Sequence, residues 1–381
     1  MTDSKPYTIR WGILATGGIA QKFTKDLVLD PSTRSVSDVS HTVVAAASRS
    51  QERAQEFLTS CGCPSTAKAY GDYASLAADP DVDIVYVATP HSHHYQNARL
   101  CLEAGKHVLC EKALTVNAAQ ARKLVEIARE RKVFLMEAQW TRYFPLAVEL
   151  RKMVSEGKIG TVHRVFADLS IGDSGTPEAK WGVENRMVNV DLAGGAMLDL
   201  GIYSILWVFQ FLYHIQPPQH RLPPNVVSQL TKYPNTGADE LTSLIMSFPP
   251  LNSHGIATTG LRVSFDPDNK GTAGPAVRIQ GTKGEIQVFG PIFRPTRFRV
   301  IPLEGFTSVE FADETREIPG QGMFWEADEC ARCLRDGKLE SETLPLEESL
   351  VMMDVMDQVR QQNGLVYPEK IETLEYPLPG F

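Results

Sequence analysis

Lys112 closes the apolar run HVLCEK. An ammonium at the C-terminal end of a strand, beside a bound cofactor, would lower the pKa of a neighbouring phenol and help hold a hydroxyl. Taken alone, such a lysine is a solvated surface charge more often than not. Asp199 and Tyr203 stand four apart in DLGIY. On a helix that spacing puts both on one face and lets a carboxylate and a phenol enter one pocket. The alternative is a backbone-capping aspartate beside a core aromatic. A second apolar run, DIVYVATPHSHH, ends in Thr89, Pro90, His91, Ser92, His93 and His94. Dense histidines suggest a metal, but no companion Cys or acidic ligand pattern accompanies them. No metal is expected, and the adopted reading is a ligand pocket at a strand end.

The first apolar run, YTIRWGILA, leads into Ala15, Thr16, Gly17, Gly18, Ile19 and Ala20. The dinucleotide fingerprint asks for G-x-G-x-x-G/A between a strand and a helix. Gly17 and Ala20 fit its later positions, and Ala15 departs from the first. Gly17 would let backbone approach a pyrophosphate, while the helix N-terminus supplies N–H donors. The second run ends in Ala47, Ser48, Arg49 and Ser50, with Arg53 one turn on. NAD-preferring folds place a carboxylate there for the ribose 2′-hydroxyl. A hydroxyl and guanidinium groups suit a 2′-phosphate instead, so the expected cofactor is NADP. Otherwise Arg49 and Arg53 are ordinary surface charges. With NADP in place, Thr89, Pro90, His91 and above all His94 are expected to line the nicotinamide pocket. Trp140, Arg142 and Tyr143 follow the last strand of this half. They are read as an aromatic wall and polar clamp for a polyol, or alternatively as packing between domains. Trp181 and Arg186 lie in a segment too irregular to place.

These residues need a scaffold. Continuously apolar strands alternate with helices up to about residue 140, which predicts a doubly wound Rossmann domain over 1–140 with a parallel sheet covered on both faces. The pattern then changes. One more helix, FPLAVELRKMVSEG, is followed by a long apolar helix, DLAGGAMLDLGIYSILWVFQFLYH. Alternating runs after it, with TKG as a hairpin signal, predict an α+β domain over 141–381 with a mainly antiparallel open sheet. The last two helices are left free to pack back on the first domain.

Composition narrows the function. A formal net charge of −8 argues against general nucleic-acid binding. No stretch is read as approaching the roughly 20 apolar residues of a membrane span. The opening MTDSKPYT carries no secretory pattern. Six cysteines in a chain this long are not a disulfide framework, and Cys330-x-x-Cys333 sits in a helical pattern without a second pair. The expectation is a cytoplasmic protein.

The runs WGILATGGIA, VYVATPHSHH, VLCEKALT, MEAQWTRYFP, DLAGGAMLDLGIYS and GMFWEADECARCLRDGKLES resemble the Gfo/Idh/MocA oxidoreductase family, in particular its branch of D-xylose and dihydrodiol dehydrogenases. The resemblance covers nearly the whole chain. It implies that Glu111 and Lys112 match the EKP motif, with Ala113 in place of proline, and belong with the cofactor site. It also implies that Asp199 and Tyr203 match catalytic positions, with tyrosine as the acid/base. The implied reaction is NADP-dependent oxidation of an aldose, D-xylose or D-glucose, at C1 to a lactone. Dihydrodiol oxidation, coupled sugar oxidation–reduction and a non-catalytic NADP sensor are the alternatives. The resemblance further implies a homodimer or larger homo-oligomer formed through the open sheet.

Overall fold

Strands that are apolar on both faces bury themselves only inside a parallel sheet. In the computed structural model, which describes residues 5–172 and 180–381, β1 (Tyr7–Leu14), β2 (Val39–Ala47), β3 (Lys68–Tyr70), β4 (Ile84–Val87), β5 (His107–Glu111) and β6 (Leu135–Ala138) form a six-stranded sheet in the order β3-β2-β1-β4-β5-β6. Every pairing in it is parallel. Strands β4 and β6 are buried throughout. The crossover helices are α1 (Gly18–Leu27), α2 (Gln51–Ser60), α3 (Tyr73–Ala78), α4 (His91–Glu103) and α5 (Ala118–Arg131). The side chains of Ser50, Asp72 and Asn117 cap α2, α3 and α5, whereas α1 and α4 begin without a side-chain cap. Strand order reverses between β1 and β4, the place where open α/β sheets bind ligands beyond their strand C-termini.

The second sheet has eight strands, with β7 (Val162–Ser170), β8 (Asn225–Lys232), β9 (Asp239–Phe248), β10 (Ser253–Gly260), β11 (Val277–Gly281), β12 (Gly284–Phe289), β13 (Arg297–Pro302) and β14 (Ala312–Thr315) in the order β14-β13-β12-β11-β7-β10-β9-β8. Only β7 and β10 pair in parallel. The TKG run turns β11 into β12 as an antiparallel hairpin. Helix α6 (Pro145–Ser155) precedes this sheet, and α7 (Ile202–Leu212), buried at every residue, packs on β7 and β10.

The structure corrects two expectations. The stretch Val190–Leu212 is in fact long and apolar enough to cross a membrane by composition, but it is almost wholly buried within the protein. Nor is it one helix: a short 3₁₀ turn at Val190–Leu192 and a π-helical turn at Met197–Gly201 precede α7. The region after residue 317 divides between two units. The chain separates into two units, one of 1–143, 318–350 and 372–381, the other of 144–317 and 351–371. The reason lies in α8 (Phe324–Arg335) and the loop before it. Asp26 of α1 accepts the backbone N–H groups of Gln321 and Met323 at 2.9 and 2.8 Å. Asp328 of α8 accepts two bonds from Arg34 at 2.9 and 2.7 Å and lies 2.8 Å from His41 Nε2. Trp11 of β1 donates to the other nitrogen of His41 at 3.1 Å. Cys330 and Cys333 lie buried in this helix as free thiols.

Candidate functional site

The phosphate turn has the geometry a dinucleotide requires. Gly17 is the N-cap of α1, with φ −75° and ψ −179°, and no acidic residue follows in the first turn. That is extended backbone, so conformation alone does not call for glycine. A Cβ built on Gly17 or Gly18 meets no protein atom within 4 Å, so packing does not call for it either. Both glycines and Ile19 face solvent, and Ala20 is buried against the fold. The space over an uncapped helix N-terminus suits a pyrophosphate. Ala15, the departure from the fingerprint, holds φ 75°, the left-handed conformation that glycine ordinarily supplies. Thr16 donates its hydroxyl to Ser48 at 3.1 Å, tying the turn to the end of β2. Ser48 is buried, while Arg49 and Arg53 are exposed, and no carboxylate stands at this strand end. The donor set fits a phosphorylated dinucleotide.

At the ends of β4 and β5 the structure brings Thr89, Pro90, His91, Glu111 and Lys112 together. His91 Nε2 lies 3.2 Å from the Lys112 carbonyl. Glu111 is buried and accepts the Tyr86 hydroxyl and, at 3.1 Å, the backbone N–H of Lys112. Tyr86 stacks on Phe23, with centroids 3.9 Å apart. Glu111 thus anchors the lysine's backbone, a role its sequence position did not disclose. The Lys112–Ala113 peptide is cis, and Lys112 itself is half-buried.

His94 departs from its expected place in the nicotinamide wall. It is 1% exposed, with Nδ1 2.8 Å from the Ala113 carbonyl and Nε2 2.9 Å from the Thr89 carbonyl. Burial pushes its pKa down to about 4, against the two carbonyls that favour the cation. The neutral ring has one N–H and donates to one of these carbonyls, holding the start of α4 to the loop that carries it.

Arg142 and Tyr143 also do not form the expected polyol clamp. Both lie in a 3₁₀ turn, Trp140–Tyr143, directly after β6. The Arg142 side chain is fully buried, paired with Glu348 at 2.7 Å and donating to the Thr343 carbonyl at 2.8 Å. The Tyr143 hydroxyl lies 3.1 Å from Met136 Sδ, and burial raises its pKa well above the ordinary value. Both side chains are spent inside the first unit. Trp140 is buried in the same turn.

In the second unit Asp199 sits inside the π turn and Tyr203 in the first turn of α7. The π turn changes the i, i+4 geometry read from the sequence, and such turns concentrate at functional sites. Both side chains are buried or nearly so. Asp199 accepts a bond from Arg186 at 3.2 Å, giving the arginine that had no place a definite partner. The Tyr203 ring lies 5.9 Å from that of Phe293. Asp239 of β9, unread in the sequence, accepts the Met197 N–H at 2.6 Å and holds the start of the turn. Burial pushes its pKa up to about 6. Gly195 makes this close approach possible, and Gly194 makes a second one. A Cβ on Gly195 would stand 2.0 Å from Asp239 Oδ1, and one on Gly194 would stand 2.5 Å from the Arg186 carbonyl. The AGG run in the sequence was the available signal. Among the described residues, no group of three or more His, Cys, Asp or Glu could hold a metal ion.

Comparison with known proteins follows the same division. A model of the Gfo/Idh/MocA "Oxidoreductase family, NAD-binding Rossmann fold" matches residues 9–139, and one of the Gfo/Idh/MocA C-terminal domain matches 147–287. The chain is 56% identical over 383 aligned positions to a "D-xylose 1-dehydrogenase (NADP(+))" of Hypocrea jecorina, covering 99% of this chain and 97% of that protein. It is 35% identical to a "Trans-1,2-dihydrobenzene-1,2-diol dehydrogenase" of Sus scrofa, covering 95% and 98%. Among solved structures, the aldose-aldose oxidoreductase of Caulobacter crescentus superposes with TM-score 0.74 at 21% identity, covering 93% and 97%. KijD10, a 3-ketoreductase from Actinomadura kijaniata, superposes with TM-score 0.73 at 23% identity, covering 93% and 98%. These structural likenesses establish the fold.

Proposed function

Because the chain belongs to the Gfo/Idh/MocA oxidoreductase family, we propose that it is an NADP-dependent dehydrogenase oxidising an aldose, D-xylose ahead of D-glucose, at C1 to the lactone. The observation that carries the sugar is the 56% identity, over almost the full length of both chains, to a D-xylose 1-dehydrogenase. The cofactor reading has independent support in the β2 end, where Ser48, Arg49 and Arg53 stand without a carboxylate. Bound NADP⁺ supplies the hydride acceptor.

The chain's own residues bind, orient and move the proton. Backbone N–H groups at the start of α1 would hold the pyrophosphate. Ser48, Arg49 and Arg53 take the 2′-phosphate. Thr89, Pro90 and His91 flank the nicotinamide side, and Trp140 borders the substrate. Tyr203 is assigned the removal of the C1 hydroxyl proton and Asp199 the orientation of the sugar, with Lys112 as the assisting cation. In the test, Tyr203→Phe should lower kcat on D-xylose by at least about 100-fold, the scale of a lost general base, while NADP⁺ still binds. Near-normal turnover would refute the proton assignment.

A second reading, oxidation of a trans-dihydrodiol, is favoured by the 35% identity to dihydrodiol dehydrogenases. Initial rates on D-xylose, D-glucose and a dihydrodiol with NADP⁺ and NAD⁺ separate the two. A homodimer is supported by the outer face of the second sheet. There Val227 pairs with Ile245, beside Leu241, and these are 63%, 44% and 39% exposed. Light scattering coupled to size exclusion tests it.

A further inference from the structure

The segment 372–381 does no work in the chemistry above, yet the first unit grips it closely. The carbonyl of Glu372 accepts from Asn117 at 3.0 Å, that of Thr373 from Gln120 at 3.0 Å, that of Leu374 from Tyr95 at 3.0 Å and that of Glu375 from Gln96 at 2.7 Å. Gln96 Oε1 in turn accepts the Leu378 N–H at 3.1 Å. The Arg99 guanidinium lies 4.2 Å over the Tyr376 ring. Tyr95, Gln96 and Gln120 are buried. Buried amides are costly unless bonded, so these side chains commit α4 and the start of α5 to the backbone of this segment. The strap then runs toward the N-terminal end of α4. There the Phe381 ring meets His93, with centroids 4.6 Å apart. His93 stands between His91 and His94, the residues that touch the carbonyls of Lys112, Ala113 and Thr89. The helix start lacks a side-chain cap of its own.

We propose that the strap 372–381, through Phe381 against His93 and Gln96 along α4, positions the first turn of α4 and so the nicotinamide side of the cofactor site. Phe381 and Gln96 are positioning residues, and the inference rests on the NADP reading above. Amide-on-backbone bonds hold the strap whatever its side chains, while the final ring sets where the HSHH turn sits. Loosening that ring frees the turn without opening the Rossmann core.

The test compares the unaltered 381-residue protein with Phe381→Ala and with Gln96→Ala. NADP⁺ affinity is read by fluorescence titration, and amide hydrogen exchange over 89–95 is read without cofactor. Loss of one aromatic pair should raise Kd for NADP⁺ about 3- to 10-fold in Phe381→Ala. Exchange over 89–95 should quicken, and kcat at saturating NADP⁺ should hold within about twofold. Gln96→Ala should move both readouts in the same direction. Unchanged Kd and exchange overturn the proposal, as does a lower melting temperature with Kd unchanged, which marks the strap as merely structural. Absence of NADP⁺ binding by the unaltered protein instead overturns the cofactor reading and this inference with it, and is recognised before any variant is measured.

Discussion

Gly17→Ala separates what the fold needs from what the ligand needs. The residue already has ordinary extended backbone, and the new methyl group meets no protein atom within 4 Å. Two small effects act on stability. Alanine restricts the unfolded chain, which stabilises by about 0.4–1 kcal/mol. It is also a poorer N-cap than glycine, by roughly 0.5–1 kcal/mol. The two offset, so the melting temperature should remain within about 4 °C of the parent. A pyrophosphate over the α1 N-terminus would occupy the space the methyl group takes. Overpacking of that kind costs about 1–3 kcal/mol, which weakens NADP⁺ binding about 5- to 150-fold. Thermal melts and an NADP⁺ titration on the same preparation read both terms. A variant that melts normally and binds NADP⁺ normally refutes the dinucleotide turn. A collapsed melting temperature refutes the claim that the fold makes no use of this glycine.

Two further outcomes concern buried charge. Arg142→Met leaves Glu348 buried without its cation and should cost about 3–5 kcal/mol, measured by urea unfolding. Unchanged stability with a raised KM for the sugar would restore the polyol clamp. Glu326 is fully buried, and among the described residues neither carboxyl oxygen has a hydrogen-bond partner. Burial, with Glu111 and Asp26 nearby, raises its pKa well above 4.5. The native state then keeps a proton that the unfolded chain releases, so this group's contribution is largest below pH 4.5 and is lost as pH rises, at up to ~1.4 kcal/mol per unit until the folded carboxyl ionises. Glu326→Gln does not titrate, so its melting temperature relative to the parent should climb between pH 5 and 8. Parallel pH profiles would contradict this.

Much of the fold was legible because its signals are local. The apolar runs of β1, β4 and β5, the phosphate turn and the TKG hairpin each declare themselves within a few residues. What was not legible depends on partners far along the chain. Arg142 at a strand end looks like a clamp until Glu348 and Thr343 arrive from more than two hundred positions away, with separations of 206 and 201. His94 looks like a pocket wall until two carbonyls from different loops claim its ring. The break in the long apolar helix is similar. Nothing within DLAGGAMLDLGIYS names Asp239, 42 positions beyond Met197, as the acceptor that holds the π turn. The return of α8 to the first unit is of the same kind, since Asp328 takes Arg34 and His41, at separations of 294 and 287.

The residues that mislead are instructive about how the site is built. Polar side chains beside Lys112 and Tyr203 divide into those that face outward and those that hold the outward ones in place. In the first unit Glu111, His91 and His94 fix the backbone around Lys112 from below. In the second, Asp239 and the Gly194–Gly195 approach fix the turn that carries Asp199 and leads into Tyr203. A buried polar group without a partner is costly, so these supports spend most of their bonding atoms within the fold, Asp239 Oδ1 being the exception among the described residues. That commitment makes a support indistinguishable, by residue type alone, from a ligand-binding group. The distinguishing property is where its donors and acceptors go, and that is fixed by tertiary contacts. Each half of the proposed chemistry is thus preorganised within its own unit. Damage to a support on the lysine side should therefore appear first in cofactor affinity, and damage on the tyrosine side first in kcat.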